Sequence, residues 1–239
     1  FFSTPTPAYE ILSGLVGSEM CIRDRFYGMQ KSYGDLEGAL AIMANGALIL
    51  QFPVAHSFLL SQRGQKILSL LGPKDLAISL STTSFTIVAS IQLFALFMLW
   101  SPSKIVFALP FEFLIYILPI LYCLSWFLLI VATIDAGLEV QSGALGWISV
   151  LARKKPKFPE LPTTGLYRII RHPIYASFFL AVLTVPTWTA DQIVVSLILG
   201  GYCIFAPILK DRRLIERHGE KYLRYKNTTP YMLPSKIIK

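Results

Sequence analysis

The sequence predicts an all-α protein. It reads as a polytopic membrane helix bundle of about five transmembrane helices, closed by a C-terminal helical hairpin and a cytoplasmic tail helix. Three observations predict it. Of the 239 residues, 54% are hydrophobic and only 15% are charged, against about 25% charged in a typical soluble domain. Mean hydropathy is +0.57. Apolar runs recur along the chain, and Lys and Arg collect in some of the connections between them but not in others.

The first run covers about 36–60, the second about 76–100 and the third about 111–134. Each exceeds the ~20 residues that a helix needs to cross a bilayer. The fourth, about 174–189, and the fifth, about 191–209, are shorter and separated by "TWTAD". They are expected to pair as a helical hairpin with Pro186 and Asp191 near its tip. The connection 61–75 carries Arg63, Lys66 and Lys74; that at 152–171 carries Arg153, Lys154, Lys155, Lys157, Arg168 and Arg171; the tail after Leu209 is dense in Lys and Arg. Between them, 101–110 holds only Lys104, and 187–191 holds no cation. Five crossings put the basic connections on one side, which the positive-inside rule makes cytoplasmic, with the C-terminus inside. Charge placed this way serves topology and lipid headgroups rather than nucleic acid.

Residues 8–25, "AYEILSGLVGSEMCIRDR", read as one translated frame of a sequencing-library adaptor. Residues 1–25 are therefore set aside as non-native, and 26–239 are expected to form one domain. Cys21, Cys123 and Cys203 have no metal-ligand spacing, so no metal site is expected. No span carries the paired ionisable residues of a proton path, which argues against a pump.

Chemistry concentrates in 165–234. That stretch opens with "GLYRIIRHPIY" (165–175) and resumes after the hairpin with "LKDRRLIERHGEKYLRYKNTTPYMLP" (209–234). Pro173 suits the first position of a helix, where a missing N–H costs nothing. The N–H groups of such a first turn favour an anion such as a carboxylate, and Arg171 and His172 stand beside it. The hairpin should return 208–214 to the level of 172–175 on the cytoplasmic face. A second charged helix is expected from Asp211 to about His218, broken at Gly219.

These two motifs resemble the C-terminal signature of the isoprenylcysteine carboxyl methyltransferase and phospholipid methyltransferase superfamily, and among its members bacterial proteins of the methanethiol S-methyltransferase type. The matching positions are Gly165, Tyr167, Arg171, His172, Pro173, Tyr175, Asp211, Leu214, Gly219, Tyr222, Tyr225 and Pro234. The resemblance implies an integral membrane protein of the bacterial inner membrane with an S-adenosylmethionine site on its cytoplasmic side. It implies that Tyr167, His172, Pro173 and Tyr175 line the cofactor pocket, with Tyr222 and Tyr225 as further walls. Arg171 would pair with the methionine carboxylate, and Arg171 and Asp211 are the candidate catalytic residues. Aromatic faces suit an adenine or a sulfonium, and methyl transfer needs alignment and exclusion of water more than a protein nucleophile. The acceptor would be a small or lipophilic nucleophile, a thiol or a carboxylate, reached from the bilayer. One departure stands out: the family's acidic pair is Lys210-Asp211 here.

Other readings fit parts of the chain. An NADPH-dependent membrane reductase of the sterol reductase type has a similar core, but its His-Pro-Asn-Tyr-x-Gly-acid pattern is broken here at Ile174, Ser177 and Phe178. A non-catalytic scaffold retaining the fold is a third reading. His56, in the first span, is a polar residue at membrane depth. Asp135 and Glu139 share one helix face at the end of the third span. His218 is read as structural.

Overall fold

A computed structural model describes residues 26–71, 73 and 76–234. The expectation for residues 1–25 lies outside the described residues. Ten helices organise the described chain: α1 (Gly38–Leu59), α2 (Gln62–Leu68), α3 (Ala77–Met98), α4 (Leu114–Asp135), α5 (Leu138–Gln141), α6 (Ala144–Leu151), α7 (Leu166–Ile169), α8 (Pro173–Leu183), α9 (Ala190–His218) and α10 (Glu220–Thr228). The only β pairing among the described residues is a single bridge, Val106 to Thr189.

Four of these helices, α1, α3, α4 and α9, are long and apolar enough to cross a membrane. A 22-residue helix such as α1 or α4 is about 33 Å long at 1.5 Å per residue, matching a ~30 Å hydrocarbon core. Their outer faces carry exposed Leu40, Ile42, Met43, Tyr116, Ile120 and Phe127. A soluble protein does not tolerate so much contiguous apolar surface; a bilayer solvates it. Proline interrupts three spans, at Pro53, Pro119 and Pro207, as spans permit when neighbours satisfy the freed carbonyls. The central helix is α9, with 44% of its apolar window buried against 6% for α1.

The fourth apolar run departs from the expectation of a full helix. It is helical only over the 11 residues of α8, about 16 Å. Thr184 to Thr189 continues as non-helical chain and meets the 103–107 connection, where Phe107 N–H donates to Trp188 O (2.9 Å) and Ala190 N–H to Ile105 O (3.1 Å). This arm of the hairpin is therefore part helix and part irregular backbone. Such backbone is stable at membrane depth only if protein groups satisfy it. The 103–107 connection does this at Trp188 O, and from α9 both Gln192 and Ser196 donate to Val182 O in the last turn of α8 (3.0 and 3.2 Å). Substituting Gln192→Leu removes one of the two donors to Val182 O, with an expected loss of about 0.5–1.5 kcal/mol, measurable as a lower thermal midpoint in detergent.

The tip of the hairpin is locked. The Asp191 carboxylate, 5% exposed, accepts from Trp100 Nε1 (3.1 Å), Ser103 N (2.9 Å), Ser103 Oγ (2.7 Å) and Gln30 Nε2 (3.2 Å). Beneath it packs the core of Met29, Ile49, Leu96, Phe97, Trp100, Val182, Val195 and Leu199. With the tip held, the opposite ends of α8 and α9 are fixed side by side.

Candidate functional site

At the end of α4, the Asp135 carboxylate accepts from Leu166 N (2.8 Å). This caps α7 and sets the direction of the segment leading to the site. Gly165 permits it: its φ is +57°, and a Cβ there would meet that carboxylate. Asp135 is thus committed to backbone structure rather than to a site mouth. His172 then sits just before α8, with Pro173 at the first helical position as the sequence predicts.

From the other side α9 runs unbroken from Ala190 to His218. The expected separate helix from Asp211 is its last two turns, and the break comes at Gly219, with φ +52°. That continuity fixes Asp211 rigidly. It is 5% exposed and gathers the site. His172 Nε2 lies 2.8 Å from Oδ1, but no straight N–H···O bond forms, so this is a charge–dipole contact more than a directed one. Arg171 Nη2 is 3.4 Å from Oδ2 and Lys226 Nζ 3.8 Å. The Tyr222 hydroxyl donates to Oδ1.

Arg171 ties the same frame together. Its Nη1 donates to Lys226 O (2.7 Å) and Thr229 O (3.3 Å), its backbone N–H to Pro230 O (2.8 Å), and its guanidinium rests 5.6 Å from the Tyr231 ring centroid. Tyr231 also packs edge-on against His172 (5.0 Å). Tyr225 Oη donates to Tyr167 O (2.6 Å). The start of the hairpin, the end of α9, α10 and the tail are therefore one hydrogen-bonded unit.

Beside this unit lies a cleft of about 150 Å³. Tyr167, Arg171, Tyr222 and Tyr225 line it, together with Lys210 and Arg217 from α9 and the 158–162 segment. His172, Pro173, Tyr175 and Asp211 stand behind that surface. His172 is 1% exposed, and Tyr175 packs between His172 (6.2 Å between rings) and Lys210 Nζ (5.6 Å from its ring). Glu160 pairs with Lys221 across the rim (2.6 Å). Sequence reasoning did not single out Tyr231, Lys226, Arg217 or the 158–162 segment. The three residues lie within the matched motif stretch, but only folding shows that Lys226 faces Asp211, Tyr231 faces His172 and Arg217 lines the cleft.

Burial holds the imidazole of His172 below its ordinary pKa, although Asp211 pulls the other way. Burial first, and the hydrogen bond to Asp211 second, push the Tyr222 phenol up. Burial likewise raises Tyr167, and raises Tyr225 to about 12. At neutral pH the tyrosines are neutral donors and His172 is uncharged. Because His172 binds a proton less readily folded than unfolded, the folded state is fully favoured above about pH 6.5 and loses stability as pH falls below it. The melting midpoint is expected to drop between pH 7.5 and 5.5, and His172→Gln to flatten that dependence.

No protein-family model matches the chain, and no solved structure matches it. Named relatives do. The chain is 27% identical over 212 residues to a methanethiol S-methyltransferase of Pseudomonas deceptionensis, covering 87% of this chain and 79% of the relative. It is 26% identical over 201 residues to methanethiol S-methyltransferase 1 of Bradyrhizobium diazoefficiens, covering 84% and 69%. A methanethiol S-methyltransferase of Crocosphaera subtropica is 25% identical over 197 residues, covering 81% and 75%. The resemblance carried by residues 165–234 thus extends over most of the chain, which is similar nearly throughout to bacterial methanethiol S-methyltransferases.

Proposed function

We propose that this membrane protein is a methyltransferase that moves a methyl group from S-adenosylmethionine to a small thiol of the methanethiol class, with its cleft on the cytoplasmic side. The observation that carries this reading is the Asp211 hub, which joins the α8 start, the end of α9 and α10 beside a tyrosine-lined cleft. Relatives named for this reaction match the chain over most of its length.

The residues present suit the donor. Tyr167, Tyr222 and Tyr225 offer ring faces for an adenine and for a sulfonium cation. Lys210 and Arg217 line the cleft and supply charge for a carboxylate. Arg171 was the sequence candidate for that carboxylate. Its Nη atoms are taken by Asp211 and two carbonyls, which leaves it the Nε, buried and without a partner. Arg171 and Asp211 then act chiefly by holding the cleft in shape. When bound, S-adenosylmethionine supplies an activated methyl group. The chain aligns donor and acceptor and keeps water out.

Purified protein in nanodiscs, given methyl-labelled S-adenosylmethionine with methanethiol, a prenyl-cysteine and a phospholipid amine in parallel, is expected to label the thiol product. Label in none of the three, or NADPH binding without S-adenosylmethionine binding, overturns this reading.

A further inference from the structure

We propose that His56 takes the proton from the acceptor thiol where α1, α3 and α9 meet, beside an apolar groove; this rests on the thiol methyl transfer proposed above. His56 lies on α1, one turn from its end at Leu59. Its ring sits among Phe52 (5.0 Å), Phe85 of α3 (4.9 Å) and Tyr202 of α9 (6.2 Å). Its Nδ1 is buried and has no hydrogen-bond partner among the described residues. An unpaired imidazole nitrogen in apolar surroundings is costly, and an ionisable side chain on a membrane-spanning helix is a functional candidate by default.

An apolar groove lies beside this histidine. A groove of about 480 Å³ between α1 and α9 is walled by Pro53, Val54, Phe205 and Leu209. At its inner side the Ser57 and Tyr202 hydroxyls bond to each other (3.2 Å), and the Tyr202 ring continues to His56. Polar groups then lead to the cleft. Arg213 donates to Leu60 O (3.1 Å) and is a charged neighbour of His56, Tyr202, Tyr175 and Lys210 alike. Tyr175 stands against His172, and Lys210 lines the cleft. The ionisable groups facing His56 are therefore Tyr202 and Arg213, both from α9; α3 presents the uncharged Phe85.

Chemistry fixes the occupant as a small alkyl thiol. Protonated, it is apolar enough for the groove. To attack, it must become a thiolate, which a free thiol does only in small part at neutral pH. The S–H bond breaks with its electron pair kept on sulfur, and the proton goes to an imidazole nitrogen of His56. The sulfur pair then forms the new S–C bond, while the sulfonium donor's sulfur keeps the pair of its broken C–S bond. The proton leaves His56 to water.

The chain has three histidines, so ¹⁵N-histidine NMR in nanodiscs is tractable. Ethanethiol added without methyl donor is expected to shift the His56 resonance and leave His218 unmoved. His56→Gln is expected to lower kcat at pH 7 by about a hundredfold with the donor Kd unchanged. Its rate should then rise about tenfold per pH unit, following thiol ionisation, where the wild type levels off. Tyr202→Phe, which removes one oxygen, should raise the thiol KM severalfold and serves as the kinetic test if His56→Gln fails to bind donor. Wild-type thiol methylation with an unmoved His56 resonance, or with an unchanged His56→Gln rate, overturns this proposal alone. Absence of thiol methylation by the wild type overturns the functional reading beneath it.

Discussion

Asp211→Ala is expected to collapse the site. Asp211 contacts Arg171, His172 and Lys226, and it accepts from Tyr222 as well. Arg171 is held between α8 and the tail, with its side chain only 10% exposed. Removing the counter-charge leaves a buried guanidinium uncompensated, at a cost on the order of 3–5 kcal/mol. The hydroxyl of Tyr222, itself 1% exposed, loses its acceptor too. Asp211→Asn separates the two effects, since an amide oxygen still accepts from Tyr222 but carries no charge. We expect the alanine variant to lose its cooperative melt in detergent. The asparagine variant should melt several degrees below wild type and lose about a hundredfold in methyl transfer, because a small displacement of the cleft walls misaligns donor and acceptor. Wild-type rates in Asp211→Asn would show that the charge is not needed.

Arg171→Ala has the second largest expected effect, through a different route. The guanidinium donates to Lys226 O and Thr229 O while pairing with Asp211, so one side chain joins the hairpin start, the end of α10 and the tail. Hydrogen bonds to charged groups contribute about 1.5–3 kcal/mol each, and we expect a loss of about 3 kcal/mol or more. Arg171→Lys keeps the charge but not the planar fork, and a single ammonium cannot reach two carbonyls and a carboxylate at once. It should recover part of the stability. Limited proteolysis is the direct measurement: cleavage near 226–234 should accelerate in the alanine variant and less so in the lysine variant. Retained donor affinity in a proteolytically intact Arg171→Ala protein would sink the tethering role.

How far the sequence leads can be judged element by element. The first, second, third and fifth apolar runs are helices long enough to span. Length and continuous apolar character fix these with little help from context, because a bilayer leaves the backbone no cheaper way to hydrogen-bond. The fourth run misleads. Its composition matches a span, yet only Pro173–Leu183 is helical. The remainder finds a donor in the 103–107 connection, and Gln192 and Ser196 close the end of α8 at Val182 O. Those partners are distant or out of register in sequence, so no local pattern announces them. The joint between α9 and the charged stretch misleads in the opposite sense: a change of composition at Lys210 suggests a new helix, but the backbone continues to Gly219.

At the site, the residue types and the pairing of two motifs about 40 positions apart are legible in the chain itself: Tyr167, Arg171, His172, Pro173 and Tyr175 on one side, Asp211, Tyr222 and Tyr225 on the other. Which of them face the cleft emerges only on folding. Tyr167, Tyr222, Tyr225, Lys210 and Arg217 line it, whereas His172 and Asp211 form the buried frame and Asp135 caps α7. The physical reason is the helix period. On α9, Lys210 and Asp211 are adjacent in sequence but about 100° apart around the axis. Lys210 therefore turns toward the Tyr175 ring and the cleft, and Asp211 toward Arg171, His172 and Tyr222. Composition fixes a bundle in a membrane; rotation of one rigid central helix fixes which of two neighbouring charges lines the cleft.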